Sequence, residues 1–138
     1  MELSHSVNYL AVLVAAIANM VIGAVWFMPA VLGSHWMRFT GLTSEAIENT
    51  PHMWASYLGS LVGSVLVAYA VARIAAYAAA DSVADAAILM LLIWIGLVLV
   101  PLSDEALWER RPVGLFVLVG ARWFVALAVI TAIVALWV

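Results

Sequence analysis

Residues 23–41 read GAVWFMPAVLGSHWMRFTG, and this stretch decides how the chain is laid out. An apolar run ends there on the adjacent aromatics Trp26 and Phe27, with Pro29 close behind. Tryptophan collects at the level of lipid headgroups, because its ring is amphipathic and its N–H seeks a polar partner. Proline donates no backbone hydrogen bond and restrains the residue before it, so Pro29 ends or kinks the preceding helix. Gly33, Trp36, Arg38 and Gly41 follow. The pattern predicts a transmembrane helix leaving the bilayer, then a short amphipathic helix lying along the interface. Val31, Leu32, Trp36 and Phe39 would face the acyl chains, and Arg38 would face phosphate.

Composition sets the solvent. The chain has 138 residues, 68% of them hydrophobic and 9% charged, and its mean hydropathy is +1.18. Soluble domains run at about 45–50% apolar and 25% charged. A water-soluble fold cannot hide this much apolar surface, so the chain is read as one integral membrane domain. There is no lysine, and five arginines in a chain of net charge −3 form no basic face. Nucleic-acid binding, which needs phosphates neutralised, is excluded. With no cysteine there is no disulfide, thiolate nucleophile or cysteine-bound metal.

Around the opening stretch, four apolar runs are long enough to span, since about 20 helical residues cross a ~30 Å core. They cover about residues 7–28, 53–78, 84–102 and 113–138. The N-terminus lacks the basic region of a cleavable signal peptide, so the first run is expected to remain as a span. Thr43 is placed to cap a short helical turn in the polar loop that follows, and Asp81 or Ser82 to cap the third span. Asp85 would favour that span's positive N-terminal end. Pro101 is read as the exit of the third span. The fold class is thus all-α, a four-helix transmembrane bundle with an interfacial helix between spans one and two.

Trp26, Trp36, Arg38, Trp54 and Trp108 are expected to anchor the interface. Four spans put the 29–52 and 103–112 loops on one side. Arg38, Arg110 and Arg111 there, against Arg73 alone on the other side, make that side cytoplasmic by the positive-inside bias.

The GAVWFMP…GSHWMRFTG stretch and the tail LWERRPVGLFVLVGARWFVALAVITAIVALW resemble the domain of unknown function 1761, a family of small prokaryotic membrane proteins. The residues carrying the likeness are Gly23, Trp26, Phe27, Pro29, Gly33, Trp36, Arg111, Pro112 and Gly120. It extends over nearly the whole chain. One departure stands out: members commonly show an aromatic–histidine pair after the last-span glycine, where this chain has Arg122-Trp123. The resemblance implies four spans in a prokaryotic cytoplasmic membrane and no established activity.

Within the spans, Arg122 is the most informative residue. A charge near the bilayer centre costs about 2.5–3.5 kcal/mol on insertion scales, so it should face the bundle interior, a water pocket or a route for snorkelling. A structural arginine satisfied by carbonyls, Asn19 and the Asp104/Glu105 edge is the preferred reading, and an anion or headgroup pocket the other. Asn19 lies at a similar depth below the same surface, and its amide oxygen is expected to accept from the guanidinium, with Ser60 or Ser64 completing the contact. Trp94 and Trp123, the tryptophans inside spans, are candidates to line such a pocket, although core packing is the preferred account of them. The group Asn19, Ser64, Trp94, Arg122 and Trp123 is the candidate ligand site. The second span carries a ladder of small residues that includes Ser56, Gly59, Ser60, Gly63 and Ala68. In lipid such a face lets two backbones approach closely. It is expected to pack within the bundle, with self-association as the other use.

Asp104, Glu105 and Glu109 read as solvated loop charges beside Arg110 and Arg111. His5, His35 and His52 lack metal-ligand spacing. No cofactor, metal or catalytic group is expected, because no nucleophile–base constellation is visible. Two functions stay open. The first is a non-catalytic protein of the bilayer that forms a homo-oligomer or joins a larger membrane complex. The second is a binder or transporter of a small molecule or lipid through the polar pocket around Arg122 and Asn19.

Overall fold

A computed structural model describes residues 6–137. His5 and Val138, the expected end of the last span, lie outside the described residues. Asn8 opens α1 (Tyr9–Trp26) by accepting hydrogen bonds from the Leu10 and Ala11 amides. Phe27 closes it, and Met28 turns extended before Pro29, as the residue preceding a proline must. A π turn, Pro29–Gly33, follows, closed by the Gly33 amide donating to the Met28 carbonyl at 2.9 Å. Helix α2 (Ser34–Thr40) then ends at Gly41, whose φ of 74° suits glycine. Thr43 caps α3 (Ser44–Glu48) by accepting from the Ala46 amide.

Helix α4 (Met53–Tyr77) is the second span. Ser82 caps α5 (Val83–Leu92) by accepting from the Asp85 amide, while its hydroxyl donates to the Asp85 carboxylate at 2.7 Å. A seven-residue π segment, Ile93–Leu99, and α6 (Val100–Leu107) continue the same rod. Helix α7 (Val113–Leu136) is the last. Among the described residues four helices are therefore long and apolar enough to span a membrane, Tyr9–Trp26, Met53–Tyr77, Val83–Leu107 and Val113–Leu136. The all-α reading stands, and the described residues contain no strand.

The third span corrects one expectation. Pro101 does not end it; the helix runs on to Leu107. In an α-helix the proline ring collides with the carbonyl four residues back. Here that carbonyl belongs to Leu97, inside the π segment, where the wider turn moves it out of the way. Trp94, in the same segment, donates its indole N–H to the Gly120 carbonyl of α7 at 2.9 Å and packs edge-on against Phe124. Its ring thus ties the third span to the fourth. Trp94→Phe should keep the packing and lose one interhelical hydrogen bond, about 0.6–1.7 kcal/mol, read as a lowered unfolding midpoint in detergent.

Helix α1 packs against both α4 and α7, and α5 packs against α7. The seam is built of alanine: Ala15, Ala16, Ala68 and Ala126 have no exposed surface. With lipid outside as apolar as any side chain inside, close backbone approach and not water exclusion holds such helices together. This seam splits the small-residue ladder of α4. Ser64, Ala68 and Ala72 are buried, whereas residues 54–62 are all exposed. Ser56, Gly59 and Ser60 therefore do not pack within the bundle, contrary to expectation, and Ala68 cannot belong to an outward-facing surface. The buried residues of α4 begin at Ser64, whose bond to Asn19 fixes the face turned inward; above Gly63 α4 is exposed although still level with α1.

The interfacial segment departs from expectation at Phe39. Its ring lies on Gly114 of α7, so close that a Cβ there would run into the tip of the ring. Phe39 thus docks the segment onto the last span and does not face lipid. Val31 is exposed as expected, and Trp36 meets Phe27 edge-on at 5.7 Å.

Candidate functional site

Arg122 sits about nine helical residues below the start of α7, roughly 13 Å at 1.5 Å per residue. Helical side chains lean towards the N-terminus, so this one climbs back towards the loop side. Its guanidinium comes to rest against α1. A Cβ on Gly23 would stand 3.1 Å from Nη2, and Nη2 donates to the Asn19 backbone carbonyl at 3.4 Å. The cation also lies 4.4 Å from the centre of the Trp123 ring, a favourable approach to an aromatic face. Among the described residues no carboxylate pairs with Arg122. Its Nε–H is buried with no partner.

Asn19 is 3% exposed and donates its side-chain N–H to the Ser64 hydroxyl at 2.8 Å, a buried bond between spans one and two. Ser64, not Ser60, is thus the serine that joins. The expected contact with Arg122 exists, but through the Asn19 backbone; the side-chain oxygen Oδ1 is buried and unpartnered. Trp26 adds a third orphan, an indole N–H buried without a partner. Asn19, Gly23 and Trp26 are spaced by four and three residues, so they share one face of α1. On the sequence Trp26 reads as a headgroup anchor only. Its i, i+7 relation to Asn19 is the available signal that it belongs with the polar residues.

The structure therefore brings Asn19, Ser64, Arg122 and Trp123 together and holds Trp94 elsewhere, on Gly120. Trp123 also lines an open groove of about 440 Å³ between α4 and the third span, apolar except for Glu105 at one end. A further orphan hydroxyl, Thr131, is buried deeper in α7.

At the loop end of the third span one arginine meets two carboxylates. Arg111 reaches Glu109 at 3.3 Å and Glu105 at 4.0 Å on an exposed surface, where such pairs contribute little. Among the described residues no three His, Asp or Glu side chains gather as a metal site. Trp54 and Trp108 are exposed, and Arg38 lies 5.5 Å over the Phe39 ring.

Four apolar spans joined by short connections and one interfacial segment define a small polytopic α-helical membrane protein. The chain belongs to the family described as protein of unknown function (DUF1761), which it matches over residues 10–135. No curated protein and no solved structure matches it.

Proposed function

We propose that this protein acts without catalysis of its own, by pairing with a second copy in the bilayer through the small-residue face of α4, exposed at Ser56, Gly59 and Ser60 and half-buried at Gly63. The observation carrying this reading is that a Cβ on Gly59 or Gly63 would meet nothing within 4 Å. Spacings of three and four put Ser56, Gly59, Ser60 and Gly63 on one side of the helix. Counting antiparallel from the Asn19–Ser64 hydrogen bond sets Gly63 level with Met20 and Gly59 level with Ala24. Both glycines thus lie within the depth of α1, in the apolar layer. A small-xxx-small face there gains from helix contact through packing and close backbone approach. Two copies crossing at this point present identical surfaces, the self-complementary geometry of a two-fold pair.

The test is energy transfer between labelled copies in vesicles as the protein-to-lipid ratio is varied. Gly59→Leu/Gly63→Leu should require at least about tenfold higher protein density to pair, a loss of ~1.4 kcal/mol. Helical content should not change, because a Cβ at either position would enter open space. Pairing that survives the double substitution sinks the reading, as does a wild type that never pairs. A foreign subunit co-purifying with the wild type and lost from the double variant would replace the second copy with an accessory role in a larger complex.

A further inference from the structure

We propose that Arg122, Asn19 and Trp26 form a binding site for a single phosphate group, presented by a phospholipid headgroup or by free phosphate. The site lies between α1 and α7, apart from the exposed face of α4, so it stands independently of self-association.

The first ground is charge. Arg122 carries a full positive charge inside a span, and within the protein it has one long hydrogen bond, to a backbone carbonyl, and an aromatic face. Arginine cannot discard its proton to escape the cost of burial. No described carboxylate answers it: Glu105 and Glu109 face Arg111, at 4.0 and 3.3 Å. An anion from outside the chain is what the site lacks.

The second ground is hydrogen-bond accounting. Buried polar groups are nearly always paired, yet three orphans occur on one α1 face and the arginine lying against it: Arg122 Nε–H, Trp26 Nε1–H and Asn19 Oδ1. Gly23 stands between the two α1 side chains, and its missing side chain admits the guanidinium. Phosphate offers acceptor oxygens to both N–H donors, and arginine is the side chain best shaped to hold it. Asn19 fits in either orientation of its amide. As placed, Oδ1 accepts from a phosphate or headgroup hydroxyl. Turned over, the amide accepts the Ser64 hydroxyl proton and offers its own N–H to the anion.

The third ground is depth and access. The guanidinium lies level with Gly23, one turn below the end of α1 at Trp26. Arg122 is only partly buried, which leaves an approach. Trp123, the ring under the cation, also lines the apolar groove of about 440 Å³ between α4 and the third span. An acyl chain running from a phosphate at Arg122 would find an apolar surface beside it.

The test measures binding to purified full-length protein in neutral detergent by the shift in its unfolding midpoint. One arm titrates phosphatidylglycerol, with phosphatidylcholine added to the same mole fraction as the comparison. The other titrates sodium phosphate against sodium chloride at matched ionic strength. The wild type should be stabilised in at least one arm. Arg122→Gln should raise the apparent dissociation constant at least tenfold, and Arg122→Lys should recover part of the loss. Trp26→Phe keeps the ring, removes only the N–H, and should weaken binding severalfold, which keeps the test decisive if Arg122→Gln folds poorly. Response to the lipid alone assigns a headgroup; response to sodium phosphate assigns a free anion. No response in either arm, or equal responses from the wild type and both the Arg122→Gln and Trp26→Phe variants, overturns the proposal.

Discussion

Gly33→Ala is expected to destabilise the protein by more than about 3 kcal/mol, at or beyond the upper end of the usual range for overpacking. The new Cβ would run into the Phe27 carbonyl oxygen and stand 2.8 Å from the carbonyl carbons of Phe27 and Met28. All of these are backbone atoms, with no rotamer that lets them swing away. Relief requires opening the π turn, and with it the 2.9 Å bond from the Gly33 amide to Met28. That bond sets the direction in which α2 leaves the first span. Its loss would displace Trp36 from Phe27 and Phe39 from Gly114. Unfolding of both variants in mixed detergent checks this, with Gly96→Ala as the reference, since that position is exposed and nothing lies near it. A Gly33→Ala protein within about 1 kcal/mol of the wild type would show that the turn rearranges cheaply, against the usual cost of crowding a packed site.

Much of this fold is legible in the sequence because the bilayer imposes simple rules. Every backbone group in the core must be satisfied internally, so a long apolar run becomes a helix. The caps at Thr43 and Ser82 follow from hydroxyls placed just before helices. Pro29 ends α1 because nothing precedes it that would absorb its ring. Pro101 carries the same chemistry and does not end its helix, because the π segment makes room. Ile93–Leu99 reads IWIGLVL, which fits a straight helix as well as a widened one. The choice is made by tertiary contacts, among them Trp94 on Gly120 and Leu99 against the same glycine. Depth can be counted along the chain, and so Asn19 and Arg122 pair by level from sequence alone. Rotation about each helix axis cannot be counted in this way. That is why Ser64 and not Ser60 meets Asn19, and why Arg122 finds a carbonyl and not the amide oxygen. Phe39 shows the same limit: its apolar character fits lipid or a glycine on a neighbouring helix equally well.

Arg122→Met should make the bundle more stable, by about 1–3 kcal/mol, the gain seen when an unfavourable buried charge gives way to a well-packed apolar side chain. Insertion costs about 2.5–3.5 kcal/mol at the centre of a span, and the guanidinium, drawn up to the level of Gly23, bears part of that cost. The folded protein returns one 3.4 Å hydrogen bond and the face of Trp123, and leaves Nε–H orphaned. In the detergent-unfolded state the guanidinium recovers water, so the imbalance falls on the folded side. Methionine is unbranched, fits against Gly23, and keeps contact with Trp123 through its polarisable sulfur. Equilibrium unfolding of the two proteins in neutral detergent, without added phosphate or anionic lipid, measures the difference. A loss of about 1 kcal/mol or more would mean that Trp123 and the Asn19 carbonyl offset the charge in full, and that the arginine serves the fold. A gain means that the chain carries its most expensive residue at a cost to its own stability. Anionic lipid should then narrow the gap by stabilising the wild type alone, since the methionine protein has nothing to offer a phosphate.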